Sequence, residues 1–467
     1  MKIILFGTGD YYHKFKDWLY DEDIVCLLDN SIQKQSLIID GKKVLAPNEG
    51  VKLCYDKICI MSVYYKEIKS QLLELGVPNE DIVHCSELNQ HPEMLRTDRN
   101  AKFIDGNGNN IKKIDGVSQA FLLMSHDLDF NGATLALYYA ACILKDNGYE
   151  VWFASWTDGK LRPMLTEKGI GIIIDPILQI EVFSKIDWLE PFHYIFCNTL
   201  LYYKLLSDRD YSKKYLWWLH EPEIFYDSVD KNILQSIRTD NLRVYAVGQI
   251  AKKAFNEMCP DVRVENLLYG IPDIALQDNS SKNNSSKIEL ITVGNVQEYK
   301  GQDVLINAIK QLHREYRNKL HVTIIGGKSS AYFNSVKKAA LEINNMVDFI
   351  PPVSREEVYQ YYGKADVYVC SSRQDCMPVV VAESMMFSLP SIVSDATGIA
   401  PYIQSGAGLL FHSEDSLELA RAIEWYIDNQ NKMQDIGRCA RKQYEQFFSL
   451  KSFGENIKKI VKEHFKK

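Results

Sequence analysis

The 467-residue sequence lacks the features that mark three common classes of protein. No apolar run approaches the roughly 20 residues that a membrane-spanning helix needs. The formal net charge of −7 is not the basic excess expected of a protein that binds nucleic acid in bulk. The opening MKIILFGTGD predicts a strand and a glycine turn rather than a secretory signal peptide. We therefore expect a cytoplasmic protein that does not bind nucleic acid.

A cysteine framework is also absent. Ten cysteines are scattered along the chain, and no two of them are separated by only two residues. Most lie within apolar stretches, which favours reduced thiols in a cytoplasmic compartment over disulfides or a zinc site. We predict no structural metal.

What the chain does contain is a repeated alternation of strand and helix patterns. Its length suggests several domains, and the hydrophobic share of 46% is that of a soluble globular protein. Alternating strands and helices predict parallel α/β sheets. The segment DNSSKNNSSK has no apolar side chain and is the clearest linker. The predicted division is a Rossmann-like domain at 1–92, a linker at 93–117, an N-terminal lobe at 118–277, a hinge at 278–287, a C-terminal lobe at 288–450 and a helix at 451–467 that packs back on the lobes.

Two acids in the last lobe need an explanation. Asp375 lies at a predicted turn, and Glu383 lies inside the apolar helix pattern VVVAESMMF. Burying an unpaired carboxylate is costly, so each acid needs a partner. A ligand rich in hydroxyl groups would supply one. The alternative is a helix cap at Asp375 and a glutamate satisfied by an arginine or by the backbone.

Anion-binding features surround these acids. Lys300 and Gly301 follow a predicted strand at the edge of the sheet where doubly wound folds bind ligands. Gly326 belongs to another strand-to-glycine turn at that edge. A helix that starts near Val379 would add free N–H groups and a positive dipole end. These features predict a phosphate site beside the acids, although each could also be an ordinary surface lysine or tight turn.

In the order and spacing of these residues, the predicted C-terminal lobe resembles the C-terminal lobe of GT-B-fold retaining glycosyltransferases of family four. Gly294, Lys300, Gly301 and Glu383 match positions of the family pattern, and the resemblance covers residues 118–467. It implies an α/β protein with two Rossmann-like lobes that face a cleft, an N-terminal acceptor lobe and a C-terminal donor lobe. Here a small extra Rossmann-like domain precedes them.

The resemblance also implies roles for individual residues. Glu383 would bind the ribose of a nucleotide-sugar donor, and Asp375 would hold the transferred sugar. Lys300 would neutralise the leaving diphosphate, with help from the N–H groups of Val379 and Val380. His220, in WWLHEPE, would reach the sugar or the acceptor, or would simply be a packed residue. The predicted catalytic residues are thus Lys300, Asp375, Glu383 and His220, and the predicted donor-binding residues are Gly132, Gly294, Asn295, Gly301, Gly326, Phe349, Val379 and Val380.

The chain departs from the family pattern at four positions. Asn295 stands where an arginine is expected, and Asp375 replaces the first glutamate. Pro378 stands where glycine is usual, and Pro401 where an acid is common. These changes bear on the identity of the donor, and they leave open a non-catalytic partner subunit.

The predicted Rossmann-like domain at 1–92 carries part of a dinucleotide-binding fingerprint. Gly7 and Gly9 precede a predicted helix, and Asp29 ends the second strand, but Tyr12 replaces the third glycine. The block resembles small Rossmann-like domains found ahead of sugar-modifying enzymes. A nucleotide ligand and docking to another protein through residues 1–92 both stay open.

The predicted function is transfer of a hexosyl group from a nucleotide-diphosphate sugar to a glycan or lipid-linked acceptor in surface polysaccharide synthesis. The donor is a substrate, and no cofactor is required. A sugar-nucleotide epimerase of the same two-lobed fold is the alternative enzyme. Contact with the inner face of the membrane is compatible with the lysines of the last helix.

Overall fold

Three sheets, one after another along the chain, organise the molecule. The computed structural model describes residues 1–19, 22–62, 64–84, 101–114, 120–179, 186–275, 287–343 and 346–465. The predicted hinge at 278–287 lies outside these ranges except for its last residue. Within the described ranges, no helix is long and apolar enough to cross a bilayer.

The first sheet has six strands in the order β3-β4-β2-β1-β5-β6, and only β3 runs antiparallel to its neighbour. Its strands are β1 Lys2–Phe6, β2 Asp23–Leu28, β3 Ile38–Ile39, β4 Lys42–Leu45, β5 Lys57–Ile60 and β6 Ile82–His84. The helices are α1 Asp10–Phe15, α2 Pro47–Gly50 and α3 Tyr65–Glu74. The apolar strand residues that predict this domain are buried, because helices cover a parallel sheet on both faces.

The second sheet has nine strands in the order β15-β14-β13-β12-β9-β10-β11-β7-β8. They are β7 Lys102–Ile104, β8 Asn110–Ile111, β9 Phe121–Ser125, β10 Val151–Ser155, β11 Gly171–Ile174, β12 Tyr194–Asn198, β13 Lys214–Leu219, β14 Leu242–Ala246 and β15 Val264–Asn266. The helices are α4 Gly132–Asp146, α5 Arg162–Glu167, α6 Tyr203–Ser207, α7 Lys231–Ser236 and α8 Gln249–Met258. Every residue of β9, β10 and β11 is buried.

The third sheet is entirely parallel and has the order β18-β17-β16-β19-β20-β21. Its strands are β16 Ile288–Val293, β17 Leu320–Ile325, β18 Val347–Ile350, β19 Val367–Cys370, β20 Ser391–Ser394 and β21 Gly408–Phe411. The helices are α9 Gln302–Gln311, α10 Arg314–Arg317, α11 Ala331–Ala340, α12 Arg355–Lys364, α13 Val379–Met386, α14 Ala400–Gln404, α15 Ser416–Asp428 and α16 Met433–Gln443. The chain order doubles back at β16, where β17 lies on one side and β19 on the other, which is the place where such sheets bind ligands.

Within the predicted linker at 93–117, the described residues include two short strands. Strands β7 and β8 form a hairpin that adds antiparallel strands to the edge of the second sheet beside β11. Asp105 closes the hairpin by accepting hydrogen bonds from the backbone of Asn107 and Asn109. The two strands are only three and two residues long and are surrounded by polar and charged residues, so the stretch has the sequence of a linker.

The end of the chain returns from the third sheet to the second. A π-helical turn at Tyr444–Phe448 leads into α17 Leu450–Ile460, which packs against α4. Phe453 stacks on Trp218, and Phe465 stacks on Phe196. The apolar stripe of this helix therefore lies against the N-terminal lobe.

Candidate active site

Lys300 and Asp375 form an ion pair at the carboxyl edge of the third sheet. A 3-10 turn, Glu298–Lys300, follows β16, and Gly301 after it has a φ of +64°. A Cβ at Gly301 would lie 2.1 Å from the carbonyl oxygen of Ser371, so this turn needs glycine. The hydroxyl of Ser371 donates to the Lys300 carbonyl at 3.1 Å. These contacts hold Lys300 Nζ 2.5 Å from Asp375 Oδ2.

The lysine of this pair keeps its positive charge. Partial burial disfavours the charged form, but the neighbouring Asp375 carboxylate outweighs it and raises the pKa of Lys300 above its usual range. Only 21% of the Lys300 side chain and 16% of the Asp375 side chain are exposed. The structure thus offers a fixed, partly desolvated cation, the kind of group that stabilises a diphosphate.

Glu383 is buried and paired with an arginine. Its carboxylate contacts the Arg355 guanidinium through Nη2, and it lies 3.4 Å from the hydroxyl of Tyr362. Burial raises the pKa of Glu383, and the charge of Arg355 offsets part of that shift. The alternative in which an arginine satisfies this glutamate is therefore what the structure shows. A ribose at this position would share or replace the arginine contact.

Two helix N-termini face each other across the cleft between the second and third sheets. Helix α13 begins at Val379 after Pro378, which supplies no side-chain cap, and helix α4 begins at Gly132. A Cβ at Gly132 would lie 3.5 Å from the Val379 side chain. Asp127 braces the turn before α4 by accepting a hydrogen bond from Asn131 Nδ2 at 2.8 Å. Both dipoles favour an anion at this point.

The cleft is closed at this place. The space between Gly132, Tyr139 and Tyr269 on one side and Arg355 and Val379 on the other has a volume of only about 10 Å³. Ligand pockets are typically about 300–1,000 Å³. A ligand group could occupy this particular space only if Arg355 or the other residues around it moved.

The other predicted donor-binding residues lie along the same sheet edge in different roles. Gly294 and Gly326 have φ values of +143° and +110°, and a Cβ at Gly326 would lie 2.4 Å from the Gly294 carbonyl oxygen. Asn295 is exposed, and its carbonyl accepts a hydrogen bond from Gln302. Phe349 packs edge-on against Phe333, with ring centroids 5.6 Å apart. The Val380 carbonyl accepts a hydrogen bond from Tyr362 at 3.1 Å. Their binding of a donor stays a prediction.

His220 follows β13 and faces the cleft from the N-terminal lobe. Its Nε2 lies 2.8 Å from Asn198 Oδ1, and its ring lies 4.7 Å from that of Trp218. Burial, with the nearby His126, lowers the pKa of His220 to about 3. The ring is therefore neutral at physiological pH, so it can donate or accept a hydrogen bond but does not add positive charge.

Two residues near the cleft escaped the sequence prediction. Arg355 lies at the first position of the polar helix α12, where an arginine carries no signal of its own. His126 follows β9 directly, and its buried Nδ1 has no hydrogen-bond partner although Nε2 lies 3.1 Å from Asp127. Its place after the first strand of the lobe could have marked it, because carboxyl ends of parallel strands meet at one edge.

Glu221 is a third titratable group in this region, and it predicts a pH dependence. Burial raises its pKa to about 7, while the N–H of His220 donates to its carboxylate at 2.9 Å. The folded state thus holds this proton more tightly than the unfolded state, so stability falls as pH rises from about 4.5 to 7, by roughly 3 kcal/mol. We expect the stability of Glu221→Gln, measured relative to that of the native protein, to increase as pH rises from 5 to 8. Thermal unfolding at both pH values measures this gain, and exposed Glu190→Gln should show none.

Asp29, the acid of the dinucleotide-binding fingerprint, is already hydrogen-bonded within the first domain. Asp29 accepts hydrogen bonds from the backbone N–H of Thr8 at 3.1 Å and of Ser31 at 2.9 Å, and Lys34 Nζ lies 3.2 Å away. Burial opposes ionisation, but these contacts together lower the pKa of Asp29. Tyr12 is buried, and its hydroxyl donates to Asp40 at 2.9 Å. The acid that would bind a ribose thus stabilises the glycine turn.

Within the part of the chain that the structure describes, no three acidic, histidine or cysteine side chains are placed to hold a metal ion together. The groups that the structure brings together are a lysine–aspartate pair, a buried arginine–glutamate pair and two helix N-termini. Two parallel α/β lobes with such a cleft define the architecture of a GT-B glycosyltransferase.

Comparison with known families agrees with this class. Residues 273–443 match the group 1 glycosyl transferases, and residues 117–243 match glycosyl-transferase family 4. Each lobe thus matches a family of glycosyltransferases. Residues 1–83 match a separate family described as C2185-like, N-terminal.

Curated relatives are similar over part of the chain. A D-inositol 3-phosphate glycosyltransferase of Corynebacterium aurimucosum is 29% identical over 33% of this chain and 38% of its own length. An uncharacterized glycosyltransferase of Haemophilus influenzae is 27% identical over 35% of this chain and 48% of its own. The chain thus spans less than half the length of either relative in these matches.

Solved structures share the fold. Anabaena HepE in complex with UDP-glucose has a TM-score of 0.61 at 17% identity, and the match covers 73% of this chain and 99% of that one. Sucrose-phosphate synthase of Thermosynechococcus elongatus has a TM-score of 0.59 at 16% identity, over 74% and 99% of the two chains. The predicted GT-B architecture is confirmed.

Proposed function

We propose that the protein transfers a hexosyl group, with retention of configuration, from a nucleotide-diphosphate sugar to a glycan or glycolipid acceptor. The observation that carries this proposal is the Lys300–Asp375 pair beside the opposed N-termini of α4 and α13. The pair combines a cation for a diphosphate with a carboxylate for sugar hydroxyls. Glu383 lies on α13 itself, within reach of a ribose bound to the same helix.

The reaction then follows from charge development on the donor. The bond between the anomeric carbon and the diphosphate oxygen breaks, and the acceptor hydroxyl attacks from the same face. Its proton passes to the departing phosphate oxygen, so no protein base is required. Lys300 and the free N–H groups of α13 stabilise the charge that forms on the leaving group. Asp375 orients the sugar, and the paired Lys300 faces the departing phosphate.

Arg355 has a second part in this scheme. It occupies the position between Glu383 and the acceptor lobe, beside Tyr139, in the closed cleft. Entry of the nucleotide would move it aside and place its charge next to the ribose and phosphates. The uncharged Asn295, which stands where the family pattern has an arginine, leaves Arg355 as a cation on the nucleotide side.

The biological setting is the finer part of the proposal. An acceptor on a growing surface polysaccharide or a lipid carrier would place the enzyme in the cytoplasm, with contact to the inner membrane face. The proteins named above include a D-inositol 3-phosphate glycosyltransferase and a structure of similar fold in complex with UDP-glucose. They support a nucleotide-sugar donor, and UDP-glucose is the first donor to test.

The test of this function is transfer with a panel of nucleotide sugars and p-nitrophenyl glycosides, with product stereochemistry determined by NMR. We expect one donor to be consumed, with an α-linked product from an α-linked donor. Formation of a new nucleotide sugar without acceptor would identify an epimerase instead. A protein that neither binds nor consumes any donor would be a non-catalytic partner subunit, and the proposal would fail.

A further inference from the structure

A large cavity lies where the extra N-terminal domain meets both lobes. Its volume is about 660 Å³, which fits one or two sugar rings. All three parts of the chain line it. The residues that matter here are Tyr64 and Glu67 from the first domain, Glu223 and Glu257 from the N-terminal lobe, and Tyr299 and Arg373 from the C-terminal lobe.

The cavity opens beside the reaction centre. Tyr299 precedes Lys300, whose Nζ lies 5.1 Å from the Tyr299 ring centroid. Arg373 and Gln374, which also line the cavity, lead directly into Asp375. Asp375 does not line the cavity itself, but the two residues before it do, so a ligand there lies one residue along the chain from the carboxylate that would hold the transferred sugar.

The first domain is held in place at this cavity. Lys66 of α3 forms an ion pair with Asp227 of the N-terminal lobe, whose side chain is 12% exposed. Helix α3 packs against the turn Glu223–Ser228 in the same region. Burial and the charge of Glu298 raise the pKa of Tyr64, because the tyrosine extends to the C-terminal lobe. The domain thus forms one wall of the cavity.

The lining has the chemistry of a sugar site, with more carboxylates than cations. Arg373 is bound to Asp303 at 2.8 Å and to Glu414 at 2.7 Å. Lys253 lies 3.8 Å from Glu257, and Glu67, Glu223 and Glu298 add further negative charge. Exposed tyrosine rings offer apolar faces for a sugar, and carboxylates accept charge-assisted hydrogen bonds from its hydroxyls. An acceptor that carried phosphate would be repelled.

We infer that the N-terminal domain completes the acceptor site, and that this site takes a neutral sugar or an amino sugar rather than a phosphorylated one. The inference rests on the proposed transfer reaction, which supplies the need for an acceptor beside Asp375. It gives the first domain a role in acceptor binding. The glycine turn of that domain indicates no such role, because Asp29 is already hydrogen-bonded within the domain.

The experiment compares acceptor dependence in Tyr64→Ala and Glu67→Gln with that in Glu74→Gln. Glu74 is an exposed glutamate at the end of the same helix and does not line the cavity, so it matches the charge change of Glu67→Gln. We expect both cavity variants to raise the KM for a neutral p-nitrophenyl glycoside about tenfold, as loss of a charged hydrogen bond would. Donor KM and donor hydrolysis should stay at the native level, and Glu74→Gln should match the native protein.

Saturation-transfer NMR of the same glycosides separates this inference from the proposed reaction, because binding does not require turnover. We expect the neutral and amino glycosides to bind the native protein, their 6-phosphorylated counterparts not to bind, and the signal to be lost in Tyr64→Ala. Unchanged glycoside binding in both cavity variants would overturn the inference even if transfer is active. Preference for the phosphorylated glycosides would overturn it equally.

Discussion

Replacement of Lys300 by alanine is expected to lower kcat for transfer by about 100- to 1,000-fold, the loss typical of one preorganised group at a developing oxyanion. The lysine is the cation that the turn at Gly301 fixes beside Asp375, and its charge acts most strongly when the diphosphate departs. The donor KM should change much less, because the helix N-termini and Glu383 remain in place. Initial rates with a labelled nucleotide sugar measure both quantities.

The matched control for this prediction is Lys364→Ala, which removes an exposed lysine from the end of α12 in the same lobe. It should leave kcat and KM unchanged. The Lys300 variant also leaves Asp375 without its cation, so thermal unfolding must show that the lobe is still folded. A folded Lys300→Ala protein with native kcat would contradict the assignment of the leaving-group cation.

The sequence pattern predicts most of the fold because burial on both faces of a parallel sheet requires continuous apolar strands. AFLLMS and IELITV are such runs, and both are central strands in the structure. The hairpin of β7 and β8 lacks this signal, since an edge strand needs neither apolar face nor long length. Its partner β11 begins 60 residues after it in the chain, so only tertiary pairing defines it.

The site shows the same division between local and tertiary signals. The sequence alone predicts three glycine turns of the site, because each turn needs a positive φ or a close backbone approach. The glycines are Gly294, Gly301 and Gly326. The contact between Arg355 and Glu383 joins residues 28 positions apart on different helices. The place of Tyr64 in the cavity lined by both lobes depends on how a whole domain docks. Neither the contact between Arg355 and Glu383 nor the position of Tyr64 can be predicted from the spacing of residues in the sequence.

Removal of Arg355 is expected to destabilise the donor lobe strongly. Arg355→Ala would leave Glu383, whose side chain is only 7% exposed, without its cation. Breaking one partner of such a buried pair costs about 3–5 kcal/mol. Calorimetric unfolding should show a clear fall in Tm at pH 8, whereas Arg421→Ala, at an exposed arginine on α15, should stay within about 0.5 kcal/mol of the native protein.

The direction in which stability changes with pH distinguishes two causes of this destabilisation. One is the unpaired charge of Glu383, and the other is a simple loss of packing. Burial already raises the pKa of Glu383 in the folded protein, and loss of Arg355 raises it further. An acid whose folded pKa lies above its unfolded value stabilises the fold when protonated, and stability falls as pH rises through that window. The penalty in Arg355→Ala should therefore be smaller at pH 5 than at pH 8. Adding Glu383→Gln should restore much of the lost stability and remove the pH difference, because no buried charge remains. A penalty that is equal at both pH values and unchanged by Glu383→Gln would mean that Arg355 acts through its packing alone.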